Sequence, residues 1–137
     1  MVEELKIGIS GHQEDLVTKD KTAVTMGSGS LEVYATPSMI ALMEGAAVNA
    51  LENRLPAGTD SVGTGLEVLH LAATPLGMKV RATATLININ GRKLAFEVEA
   101  FDEVDKIGSG IHQRYLIDGE KFMERCQGKK GEERGIK

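Results

Sequence analysis

The chain has 137 residues, of which 42% are hydrophobic and 26% charged, with a formal net charge of −4 and a pI near 5.4. That length suits one domain with a real core, and the composition lies well away from that of disordered chains. The acidic balance argues against a general attraction to nucleic acid or an anionic membrane, although a few local Lys or Arg can still hold an anionic ligand.

The single cysteine, Cys126, cannot form an intrachain disulfide, and the start MVEELKIG lacks the basic and apolar regions of a signal peptide. No apolar run reaches the length of a bilayer span, so the expected location is cytoplasmic. Aromatics are scarce, which leaves the core to Leu, Ile, Val, Ala and six Met.

In chain order, residues 4–10 and 15–25 have weak strand character, broken by Lys and Asp, and MGSGS (26–30) marks a flexible loop. Thr36 followed by Pro37 predicts a helix start, with Thr capping the orphan amides of the first turn. Ile40, Met43, Ala47 and Leu51 then keep the spacing of a buried helical face, which stops before PAGTD (56–60). Strands are predicted at 65–73, 78–90, 92–101 and 107–117. Asn90-Gly91 predicts a type I′ hairpin between the second and third of these, and FDEVD (101–105) a second turn. A short helix over 119–126 closes the domain, expected to span 1–127, and the polar residues 128–137 are expected not to pack. One long helix followed by antiparallel strands predicts an α+β layer, and the sheet surface that one helix leaves uncovered invites dimerisation.

On a helix Glu44 falls within about 60° of Ile40, Ala47, Val48 and Leu51, the face expected to be buried. A lone buried carboxylate is costly, so it needs a partner or a cavity, unless it sits at the helix edge and reaches solvent. His70 stands between Leu69 and Leu71, where a core histidine held by a carbonyl is the simplest reading; Gly63 and Gly65 read as turn residues. In GSGIHQR, alternation puts His112 and Arg114 on one side with Gly108 and Gly110, which suits either a ligand at close approach or a bulged edge strand. Arg114 can balance a carboxylate there. His12, His70 and His112 have no ligand spacing, so no metal is expected, and the GxG fragments lack the third glycine of a dinucleotide site.

Taken together, T-P-S-M-I-A-L-M-E (36–44), G-T-G-L-E-V-L-H-L-A-A-T-P (63–75), G-R-K-L (91–94) and D-K-I-G-S-G-I-H-Q-R (105–114) resemble the fluoroacetyl-CoA thioesterase family of hot-dog-fold proteins. The similarity runs without gaps from about residue 34 to 125 and is looser in the N-terminal third. It implies an α+β hot-dog fold: a long central helix wrapped by a curved antiparallel β-sheet, with subunits paired and active sites at their interface. It also implies an acyl-CoA thioesterase in which Thr36, Glu44 and His70 are catalytic, Gly63 lies near the thioester carbonyl and Arg114 is the active-site arginine. Coenzyme A arrives with the substrate, so no separate cofactor is expected. Two departures stand out. Gly27 and Ser30 occupy lid positions where members selective for the fluorinated substrate carry bulky aromatics, so the resemblance does not extend to that selectivity; Pro37 and Ser38 replace a Gly-Phe pair.

Thioester hydrolysis needs a carboxylate that activates water or attacks the carbonyl, and donors aimed at the oxyanion. Glu44 is expected in the first role, as base or as nucleophile, with donors from amides near Gly63 or a helix N-terminus. His70 would polarise the carbonyl and assist proton transfer, and Thr36 would hold Glu44 or the water. Thr36 and Glu44 are eight residues apart, a rise of about 12 Å on one helix. Either the helix begins after Thr36 or the pair meets across two subunits; a homodimer, or a larger oligomer, is the favoured expectation. The alternatives are a non-catalytic module binding acyl-CoA or another small molecule, and a hot-dog enoyl-CoA hydratase. Lys79, Arg81 and Arg92 are candidate CoA contacts and equally plausible solvated strand residues.

Overall fold

The computed structural model describes residues 5–131, and the predicted features at 1–4 and 132–137 lie outside the described residues. Five strands, β1 (Ser10–Leu16), β2 (Thr59–His70), β3 (Lys79–Asn90), β4 (Lys93–Phe101) and β5 (Lys106–Asp118), form one antiparallel sheet in the order β1-β3-β4-β5-β2. The helices are α1 (Ala23–Met26), α2 (Thr36–Ala50) and α3 (Gly119–Gln127), and the sheet curls around α2. This is the hot-dog arrangement that the sequence resemblance implies.

The core follows from two periodicities meeting. Along β3 and β4 every second residue is buried (Val80, Ala82, Ala84 and Leu86; Leu94, Phe96, Val98 and Ala100), as the two-residue pleat requires. Against them α2 packs Met39, Leu42, Met43, Ala46, Ala47 and Ala50. Small side chains let main chains come close. A Cβ on Gly11 of β1 would lie 2.3 Å from the Ala50 amide nitrogen, so only glycine lets this strand cross the helix there. Gly108 on β5 makes a close approach of another kind, where a Cβ would lie 2.5 Å from the Met39 sulfur, toward the end of a flexible side chain rather than main chain.

Several local expectations change. The buried stripe of α2 is centred on Met39, Met43 and Ala46 rather than on Ile40; Ile40 and Glu44 lie at its margin and Val48 is 51% exposed. Because α2 is apolar on nearly every side, periodicity does not fix its centre, and the crossing of β1 does. Thr36 is not the N-cap. Ala35 holds that position in extended backbone without a side-chain cap, Thr36 is the first helical residue, and its hydroxyl is free for another partner.

Residues 15–25 form no continuous strand. After β1 the chain turns back through the Lys21–Asp15 ion pair and a 3-10 turn at Lys19–Lys21, then enters α1. β2 begins at Thr59, and Gly63 and Gly65 lie inside it on either side of a bulge; Gly63 pairs with Arg114 and Gly65 with Gln113, which leaves Thr64 unpaired. The predicted hairpin forms with a shifted centre: Asn90 pairs with Lys93, so Gly91 and Arg92 are the loop. Only Gly91 of that pair has positive φ (63°), which excludes type I′ and suits glycine at the first central position of type II′. β5 is an interior strand; β1 and β2 are the edges. Among the described residues no helix is long and apolar enough to cross a membrane.

The Gly11 crossing is directly testable. Gly11→Val forces β1 off the helix and is expected to cost about 1–3 kcal/mol of stability, read by urea unfolding. Gly128→Ala, whose Cβ meets nothing within 4 Å, should unfold like the parent.

Candidate active site

At the N-terminus of α2, the Thr36 hydroxyl and His70 Nδ1 are 2.7 Å apart, joining the first turn of the helix to the last residue of β2. The loop after α1 lies beside this pair. Gly27 ends α1 with φ 73°, and Ser28, Val33, Tyr34, Leu71 and Ala72 line an open cleft of about 400 Å³ that Thr36 and His70 also face. A Cβ on Gly27 would meet nothing within 4 Å, but the left-handed backbone strains any larger side chain at this position. His70 Nε2 is buried without a hydrogen-bond partner among the described residues. Burial pushes the imidazole pKa below its ordinary value, and the Ala72 main chain opposes this only in part, so His70 is neutral near pH 7.

A second cluster sits further along α2. Glu44 projects toward Gly63, where an added Cβ would lie 2.8 Å from Glu44 Oε2, 3.2 Å from His112 Cε1 and 3.5 Å from Arg114 Nη1. The missing side chain of Gly63 is therefore the space in which carboxylate, imidazole and guanidinium converge. Arg114, 7% exposed, donates from Nε to Ser61 Oγ at 2.9 Å and from Nη2 to the Ser61 carbonyl at 3.1 Å. Its Nη1 lies 3.1 Å from His112 Nε2, and His112 Nδ1 lies 3.0 Å from the Gly65 carbonyl.

An arginine has no acceptor, so His112 Nε2 must accept and Nδ1 must carry the proton. Burial is the main cause that lowers the His112 pKa, opposed by the Gly65 carbonyl, reinforced by Arg114 and opposed again by Glu44. Burial also lowers the Arg114 pKa, against the charges of Glu44 and Asp60.

The five candidate residues thus fall into two groups within one chain: Thr36 with His70, and Glu44 with Gly63 and Arg114. α2 is continuous between Thr36 and Glu44, so the eight residues that separate them span about 12 Å. The reading in which the helix begins after Thr36 is excluded. Sequence reasoning noted His112 beside Arg114 by strand alternation but gave it no role, and it missed Ser61 because β2 was expected to start later.

The basic candidates do not gather either. Lys79 and Arg81 flank one cleft near Phe101, whose ring centroid lies 5.6 Å from the Arg81 guanidinium carbon, whereas Arg92 lines another with Lys121 and Arg125. Among the described residues, no group of three or more His, Cys, Asp or Glu is placed to hold a metal ion.

Comparison with known proteins places the chain in a family. The model of a family described as fluoroacetyl-CoA-specific thioesterase matches residues 17–120. The fluoroacetyl-CoA thioesterase of Streptantibioticus cattleyicolor is 47% identical over 98 residues, covering 72% of this chain and 70% of that protein. Among solved structures, a fluoroacetyl-CoA thioesterase superposes with a TM-score of 0.86 at 38% identity, covering 93% of this chain and 98% of that one. A threonine-to-serine mutant of such an enzyme in complex with acetyl-CoA also gives 0.86 at 38%, covering 91% and 98%. A hypothetical protein of Thermus thermophilus, a thioesterase superfamily member, gives 0.85 at 29% identity, covering 92% and 93%. The chain therefore belongs to the fluoroacetyl-CoA-specific thioesterase family of hot-dog-fold thioester hydrolases.

Proposed function

We propose that this protein hydrolyses a short acyl-CoA thioester at a site completed by two copies of the chain, Thr36 and His70 from one and Glu44 from the other. The observation that carries the reading is the division of the polar groups: a hydroxyl–imidazole pair facing an open cleft, and a carboxylate held against Gly63 beside Arg114, at separate positions along one helix.

The free edge of β2 supports such an assembly, since among the described residues no strand pairs with its outer side and Leu66, Leu69 and Leu71 are 38%, 66% and 51% exposed. Antiparallel pairing of two β2 strands about a twofold axis at Glu67, with Thr64 dropping out of the count, brings Gly63 opposite His70 of the partner subunit.

In the reaction, the oxygen of a water molecule bonds to the acyl carbon as Glu44 takes the water's proton, and the C–S bond then breaks as the proton passes to the departing thiolate. Glu44 as direct nucleophile expels the thiolate to form an anhydride, which water then cleaves to regenerate Glu44 and release the acid, one proton passing to the thiolate. If the Thr36 hydroxyl donates to Nδ1, His70 carries its proton on Nε2, where it can donate to the thioester oxygen as negative charge develops there. The first amides of α2 have no intrahelical acceptors and add positive potential at the same end.

Glu44→Gln is expected to lower kcat about 10²–10⁴-fold with an unchanged thermal midpoint, measured by free-thiol release from a panel of short acyl-CoAs. Binding of these compounds by the parent with no thiol release would replace hydrolysis by simple binding. Mixing the inactive Glu44→Gln and His70→Ala chains should restore activity, because a mixed dimer holds one complete site; absence of recovery in verified mixed dimers would confine the site to one chain. Because the folded-state pKa of His70 lies below its ordinary 6.5, its acid limb in kcat/KM should fall below that pH, with the neutral form the active one. NMR titration of His70 checks the assignment.

A further inference from the structure

Resting on the reading of Glu44 as the acting carboxylate, we propose that His112 is a positioning residue, a neutral acceptor that together with Ser61 clamps the Arg114 guanidinium beside Glu44. His112 is fully buried and the mechanism above does not use it. Its two ring nitrogens have opposite assignments: Nδ1 donates to the Gly65 carbonyl at 3.0 Å, and Nε2 accepts from Arg114 Nη1 at 3.1 Å. Ser61 takes Nε and Nη2 on the other side. The guanidinium is thus held through all three of its nitrogens, from β5 and β2, with the Glu44 carboxylate across the gap left by Gly63.

A planar fork restrained on three sides cannot swing toward solvent, so its charge stays where Glu44 meets the substrate. The acceptor matters more than the ring. An apolar side chain here would leave a buried donor of a charged group without a partner, which costs more than an average hydrogen bond. Protonation would have the same effect, because an imidazolium turns Nε2 into a donor facing a donor. The charged or titratable groups around His112 are Arg114 on its own strand, Glu44 from α2 and Asp60, which acts on Arg114, from β2. Lowered by burial first, the His112 pKa favours the neutral state that the clamp needs.

A double-mutant cycle with Arg114 tests the clamp. His112→Leu should reduce kcat about tenfold or more, and His112→Gln, which keeps an acceptor at the outer position, should stay within about threefold of the parent. In an Arg114→Met background, His112→Leu should cost nothing further. Equal losses in both backgrounds, or parental kcat for His112→Leu, would overturn the proposal. Should the leucine variant fail to fold, ¹⁵N NMR of the parent decides: a neutral imidazole protonated at Nδ1 supports the clamp, and the Nε2–H tautomer refutes it. Glu44→Gln measured alongside keeps the two readings apart, since full activity there removes the carboxylate's role whatever the cycle shows.

Discussion

A helix that is apolar on nearly every side has to be enclosed, and the enclosure of α2 governs the rest of this molecule. The sheet can close around it only where strands touch the helix without side chains in the way. Gly11 and Gly108 provide two such places, one on an edge strand and one in the interior. Alanines on both surfaces, such as Ala46 and Ala50 on α2 and Ala82 and Ala84 on β3, keep the layers near. Once the helix is fixed, both chemical clusters are fixed as well. Thr36 rides on its first turn, and Glu44 projects from its middle at the margin of the buried stripe, where it is neither in the core nor free in solvent.

The two clusters differ in how tightly they are held. Arg114 and His112 are buried and bound to main-chain carbonyls as well as to each other, so their geometry is part of the fold. The Thr36–His70 pair rests on one hydrogen bond at the edge of an open cleft. That contrast fits a division of labour in which one side supplies a fixed electrostatic frame and the other meets the substrate. It also sets the Nε2 of His70, which is buried without a hydrogen-bond partner among the described residues, against the fully engaged nitrogens of Arg114.

Much of this fold was legible in the chain. The alternation in β3, β4 and β5 and the length of the apolar helix placed those elements within a few residues, because each obeys one clear period. β1 was misplaced because SGHQEDL carries almost no apolar signal; it is a strand by virtue of pairing with β3 and of the glycine that lets it cross α2. The start of β2 was missed because two glycines inside a strand look like a turn when the partner strand is unknown. The assignments of Thr36, Glu44 and His70 came from motif resemblance; residue types alone favoured an N-cap for Thr36 and a core histidine for His70, and left Glu44 evenly divided between a partnered or cavity-facing carboxylate and one reaching solvent. What no local pattern carried was their grouping. The Thr36–His70 bond joins residues 34 positions apart, and the Arg114–Ser61 bonds join residues 53 apart.

The bulge at Thr64 also has a geometric effect. Side chains alternate along a strand, so Gly63 and His70, an odd interval apart, would ordinarily point to opposite faces. Thr64 drops out of the pairing and resets the count. Ser61 and Gly63 before it, and Leu66, Val68 and His70 after it, all come into phase with Gly108, His112 and Arg114 across the ladder. One extra residue thereby gives both ends of β2 the same parity, and so lets a single strand contribute to the two clusters from one side of the sheet.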